Sequence, residues 1–129
     1  MISANVGVSM LPLLREGKDL FFIEKKGVGR CKVGDVVLYR RKRQYVLHRI
    51  IEVRAEDYVM LGDNCAVKEY GITDSDILAV MTSFIRNGRK HSVNELVYRV
   101  YSFVWLKLAP MRIFLKRKVF PVLKGLIRR

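Results

Sequence analysis

The chain has 129 residues, half of them apolar, which is the size and composition of a single globular domain and excludes intrinsic disorder and a multi-domain architecture. It carries 25 Lys and Arg against 12 Asp and Glu, a net charge of +13. Cys31 and Cys65 are too few for a disulfide scaffold, and neither they nor His48 and His91 stand at zinc-ligand spacing.

The two cysteines read as free thiols, with one disulfide as the alternative, and no metal or cofactor is implied. Met1–Pro12 has neither the charged start nor the apolar length of a secretory signal. Leu20–Glu24 is a compact apolar run, and Gly27-Val28-Gly29 and Gly34-Asp35 mark turns around a short connector. Val36–Tyr39 and Tyr45–Val53 are β-branched and aromatic strands, joined by Arg40-Arg41-Lys42-Arg43-Gln44 as a hairpin with a basic tip. That tip reads as solvated, or else as a site for an acidic substrate or lipid headgroups. Tyr58–Leu61 is a further strand and stops at the turn-forming Gly62-Asp63-Asn64. Ile77–Ile85 ends at Asn87-Gly88, a strong hairpin signal. Residues 1–92 therefore predict a mainly β body.

Residues 93–129 differ in kind. Val93, Leu96, Val97, Val100, Tyr101, Val104 and Leu108 recur at helical spacing, with Glu95, Arg99, Ser102 and Lys107 on the other side. Ser92 is the expected N-cap, with Glu95 at the capping-box position. Pro110 should end or kink this helix, with a second basic helical piece over Met111–Phe120. From residue 96 onward there are nine cations and no acid, which leaves a surplus of four cations in residues 1–95. The longest uncharged run in the tail, Val100–Leu106, is seven residues, whereas a bilayer span needs about 20. The tail could pack on the β body. Its aromatics Tyr98, Tyr101, Phe103 and Trp105 and its cation-only charge favour instead an interfacial helix on an anionic leaflet. Nucleic acid is an unlikely partner by this pattern, because the basic tail is interleaved with aliphatic residues and carries no recognised motif.

Three segments could carry chemistry. Ser9, in Gly7-Val8-Ser9-Met10-Leu11-Pro12, is a nucleophile if a base stands beside it, and otherwise a structural serine. His48, in Val46-Leu47-His48-Arg49-Ile50-Ile51, shares a strand face with Val46 and Ile50, where partial burial would keep it neutral. The plain alternative is a hydrogen-bonded core histidine. Asp63 and Glu69 lie six apart in an irregular segment after a strand, and either could orient an imidazole. Gly-Asp-Asn is equally good turn chemistry.

The order of these segments resembles the signal peptidase I superfamily, in its endoplasmic-reticulum and archaeal branch. Four boxes carry the resemblance: Ser9-Met10-Leu11-Pro12, Gly34-Asp35-Val36-Val37, Val46-Leu47-His48-Arg49 and Gly62-Asp63-Asn64-Cys65. Ile77–Arg86 is similar to the family's next strand, so the likeness covers about residues 5–90. It implies a small coiled β body and peptide-bond hydrolysis, with Ser9 as nucleophile and His48 as base. The oxyanion would be held by backbone N–H groups near Ser9, with Gly7, Met10 and Pro12 in the substrate-binding and oxyanion segment, and Glu69 or Asp63 would orient the imidazole. An extended leader- or signal-like peptide, with small residues beside the cleaved bond, would lie along a strand edge. Cys65 replaces the family's second asparagine, Glu69 replaces its orienting aspartate, and only eight residues precede Ser9, where the family has a transmembrane helix. The expectation is a serine endopeptidase, cytoplasmic and peripheral on the inner face of the membrane. The alternative is a catalytically inert peptide-binding module of the same fold.

Overall fold

The computed structural model describes residues 2–3, 10, 13–14, 19–119 and 121. Eight strands form one antiparallel sheet: β1 (Ile2–Ser3), β2 (Leu20–Lys25), β3 (Val36–Arg41), β4 (Gln44–Val53), β5 (Tyr58–Leu61), β6 (Glu69–Ile72), β7 (Ile77–Arg86) and β8 (Arg89–Ser92). Their order is β1-β2-β7-β3-β4-β5-β6, with β8 paired to the end of β7. Two helices follow, α1 (Leu96–Lys107) and α2 (Ala109–Phe114), and then a wider π-helical turn over Leu115–Val119. The protein is mainly β with a helical C-terminal segment.

Turn chemistry sets the connections. Asn87 and Gly88 join β7 to β8 with φ of 54° and 76°, the two positive values that a two-residue hairpin of this twist requires. The β3–β4 link is tighter than the basic stretch suggests. Arg41 pairs with Gln44, so only Lys42 and Arg43 form the loop, with Lys42 at φ 56°. This shortening places Val37 opposite His48.

Two buried clusters take alternate residues of the same strands. Val36, Leu47, Phe21 and Met81 pack with Met10, Leu14 and Tyr98, whereas Val37, Tyr39, Ile50, Tyr58 and Met60 form the second. Strand alternation predicts one buried and one open face for β4, but Leu47, His48, Arg49 and Ile50 are all buried. The reason is α1, which covers the Leu47 and Arg49 side.

The helix differs from its expected form in start and in facing. Glu95 is the N-cap and Ser92 remains in β8, paired with Ser83. The Ser92 hydroxyl accepts from the Asn94 N–H at 3.1 Å, so it caps a turn rather than the helix. Ser102, expected on the outward polar side, is buried together with Tyr98, while Leu96, Val97, Val100 and Val104 are exposed. Because Tyr98 shares a cluster with Met10 and Leu47, the start of the 93–129 segment is packed into the β body. Pro110 sits in the first turn of α2, where its missing N–H removes no helical bond.

Candidate active site around His48

β3 and β4 bring Tyr39 and His48 onto one face of the sheet. The Tyr39 hydroxyl lies 3.2 Å from His48 Nδ1, and the rings meet edge to face. Both residues are buried, His48 at 9% exposure. Burial is the largest influence on His48 and holds its pKa below the usual 6.5; the negative charge of Glu69 opposes it, Arg41 adds to it, and Asp63 opposes it. The imidazole is therefore neutral at physiological pH.

Glu69, expected in an irregular segment, is the first residue of β6 and pairs with Met60 on β5. Arg41 Nη1 donates to its Oε2 at 2.6 Å, so one arginine of the basic hairpin is turned to the site. Glu69 Oε1 is buried without a hydrogen bond. Burial, and then the charge of Glu69, push the Tyr39 hydroxyl well above the usual tyrosine range, which keeps its proton in place. With the Nδ1–H of His48 donating to the Tyr39 oxygen, Nε2 keeps its lone pair, and the charge of Glu69 beside Tyr39 would help to hold that arrangement.

The Gly62–Cys65 turn closes on the other ring nitrogen. The Cys65 N–H donates to the Gly62 carbonyl at 2.9 Å, and Sγ stands 3.9 Å from His48 Nε2. Burial raises the pKa of this thiol, so it is present as the neutral S–H. Cys31 and Cys65 are not joined in a disulfide, and the N–H of the buried Cys31 donates to the Tyr58 hydroxyl at 3.0 Å.

Asp63 serves a different purpose. Its carboxylate receives Arg49 Nε and Nη2 at 2.8 and 2.9 Å, and the Tyr101 hydroxyl at 2.7 Å. The same arginine donates to the Gly34 carbonyl at 2.9 Å and to Ser102 Oγ at 2.6 Å. Trp105 Nε1 and Arg112 Nη1 both reach the Asp63 carbonyl at 3.0 Å, and Lys116 holds Asn64 Oδ1 at 2.8 Å. Bidentate arginine and a phenol fill the carboxylate, so Asp63 shapes the turn and pins the helix, and it acts on His48 only through its field.

Ser9, Gly7 and Pro12 lie outside the described residues. Met10 is fully buried, and the Asp63 N–H donates to its Sδ at 3.5 Å, which makes it a core residue. Sequence reasoning missed Tyr39, Arg41 and the helical partners of Arg49. For Arg49 a signal existed: a charge inside the apolar run Val46–Ile51 implies a buried partner.

The arrangement of Glu69, Tyr39 and His48 makes a measurable claim. If His48 is a general base, Glu69→Gln and Tyr39→Phe are each expected to lower kcat in a cleavage assay roughly tenfold or more with little change in KM, since both would loosen its orientation. Full activity of both variants between pH 6 and 8 would show that neither residue acts through His48. Comparison of the chain with protein-family models, with curated proteins and with solved structures finds no match.

Proposed function

We propose that this protein is a serine endopeptidase in which Ser9 is the nucleophile and His48 the general base, acting on an extended leader- or signal-like peptide. The observation that carries this reading is a chain of contacts from the nucleophile box to the base. Met10, the residue after Ser9, accepts from the Asp63 N–H, and two residues further on Cys65 stands against His48 Nε2. Ser9 Oγ attacks the scissile carbonyl as its proton passes to Nε2. The C–N bond breaks when Nε2 returns that proton to the leaving amine, and water then repeats the sequence on the acyl-enzyme. β6 is the last strand of the sheet, and beside it runs a groove of about 440 Å³ between Val67, Tyr70, Pro110 and Ile113. An extended peptide fits such an edge by adding its own ladder of hydrogen bonds.

Among the described residues no helix is long and apolar enough to cross a membrane. The finer reading is a cytoplasmic protein, peripheral on the inner face. One observation favours the second reading, an inert peptide-binding module: the Cys65 thiol stands at the nitrogen that a base must keep open. Mass spectrometry of extended peptides incubated with the purified chain, together with a serine-reactive fluorophosphonate, separates the two. Cleavage products and a Ser9 adduct that His48→Ala abolishes are expected. Peptide binding with neither product nor adduct would establish the inert module instead.

A further inference from the structure

The helical segment has two faces whose chemistry is reversed from that of an ordinary surface helix. Inward it presents Tyr98, Ser102, Trp105 and Arg112, which make polar contacts to the Arg49–Asp63 pair and the turn around it. Outward it presents Leu96, Val100, Phe103, Met111 and Phe114, exposed by 51–75%. With Lys107 these residues follow one another at steps of three or four, so they form a single stripe along α1 and α2. A helix that buries its polar groups and exposes its aliphatic ones has a second surface to satisfy.

We propose that this outward stripe lies on an anionic lipid surface while the inward face stays docked over Asp63. The charge around the stripe selects the occupant. Arg99, Lys107, Arg117 and Lys118 are exposed, and residues 96–129 contain no acid. A second copy of this chain would bring the same cations against them, so self-association is opposed by charge. A nucleic acid would satisfy the cations but offers nothing to Phe103 or Met111. An anionic bilayer meets both needs, with headgroup charge at the rim and an apolar interior beneath. Lys107, in the line of the stripe with Nζ 5.5 Å from the Phe103 ring centre, can lay its stem along the apolar surface and keep its ammonium among the headgroups. This proposal does not depend on the peptidase reading. It also differs from the arrangement in which Val93, Tyr101 and Leu108 would enter the leaflet, since Tyr101 is bonded to Asp63.

The test is flotation of the full chain with vesicles of phosphatidylcholine, alone or mixed with phosphatidylglycerol. Binding to the mixed vesicles only is expected, and Val100→Glu with Phe103→Glu should lower the bound fraction about tenfold or more. Both positions are exposed, so the variant keeps the fold, and its circular dichroism checks this. Arg99→Gln with Lys107→Gln should weaken binding in the same assay, most at low salt. Trp105, the single tryptophan, is on the docked face, so its emission should not shift when vesicles are added. Undiminished flotation of the Val100/Phe103 variant would overturn the proposal, as would a blue shift of Trp105, which would mean that the helix leaves the body. Lipid-free dimerisation abolished by the same variant would assign the stripe to a second copy and likewise overturn it.

Discussion

Alanine in place of Ser9 or of His48 is expected to abolish peptide cleavage while the fold survives. Removing a general base alone costs roughly two to four orders of magnitude in rate, and removing the nucleophile leaves no acyl-enzyme path at all. The structural cost is smaller. His48→Ala removes two contacts, to the Tyr39 hydroxyl and the Cys65 thiol, each worth about 1 kcal/mol or less, against a typical domain stability of about 5–15 kcal/mol. Wild-type activity should also have a characteristic pH dependence. Only the neutral imidazole accepts a proton, and burial holds its pKa below 6.5, so kcat/KM should rise through mildly acid pH and be flat at neutrality. Stability shifts in the same direction. The folded pKa lies below the unfolded one, so the unfolded chain binds the extra proton; this contribution is present above about pH 6.5 and is lost as pH falls. Thermal unfolding of the wild type and of His48→Ala across pH 5–8 isolates that part. Undiminished turnover by Ser9→Ala would end the peptidase assignment.

The largest effect on stability is expected at Arg49. Arg49 and Asp63 are each 1% exposed in their side chains, so removing either partner leaves a full charge out of water. Breaking such a pair costs about 3–5 kcal/mol, which is a large part of a domain's stability. Arg49→Ala and Asp63→Asn should therefore lower the urea midpoint by similar large amounts. Arg49→Met combined with Asp63→Leu should cost less than the two single changes added together, because it leaves no unpaired charge. A loss below about 1 kcal/mol for either single variant would mean that water reaches the pair and that the helix does not seal it.

How far the sequence could be read depended on whether apolar periodicity carried the information. β3, β4, β5 and β7 were legible because turn formers or a basic stretch bound their apolar runs: Gly34-Asp35 before β3, Arg40-Arg41-Lys42-Arg43-Gln44 between β3 and β4, Gly62-Asp63-Asn64 after β5 and Asn87-Gly88 after β7. β6 and β8 were not: Glu69–Ile72 and Arg89–Ser92 are short and mostly polar, and pairing rather than composition makes them strands. The Tyr39–His48 contact depends on one residue of register. A five-residue loop from Tyr39 to Tyr45 would pair Val36 with His48 and put Tyr39 on the opposite face; the two-residue turn pairs Val37 with His48 and brings Tyr39 to the ring. For the helix, spacing showed an apolar stripe but not which stripe is buried. That choice was made by Arg49 and Asp63, whose need for buried donors and acceptors outweighs the burial of a few aliphatic groups. The Ser9-Met10-Leu11-Pro12 box was legible as a motif, and Ser9 lies outside the described residues.

The contacts over Asp63 also impose an order of assembly. Asp63 meets Tyr101, Trp105 and Arg112 across 38 to 49 residues of chain, and Arg49 meets Ser102 across 53. Contacts between such distant positions close late, after the hairpins have formed. During synthesis the sheet leaves the ribosome first, and the Gly62–Cys65 turn then has its bonds to Arg49 and Met10 but not those to Tyr101, Trp105 and Arg112. It follows that the turn that carries Cys65 to His48 takes its final shape only after residue 112 has been made and α1 has settled. A nascent chain would thus emerge with its candidate site unfinished, and any activity of that site would wait on the docking of the helical segment.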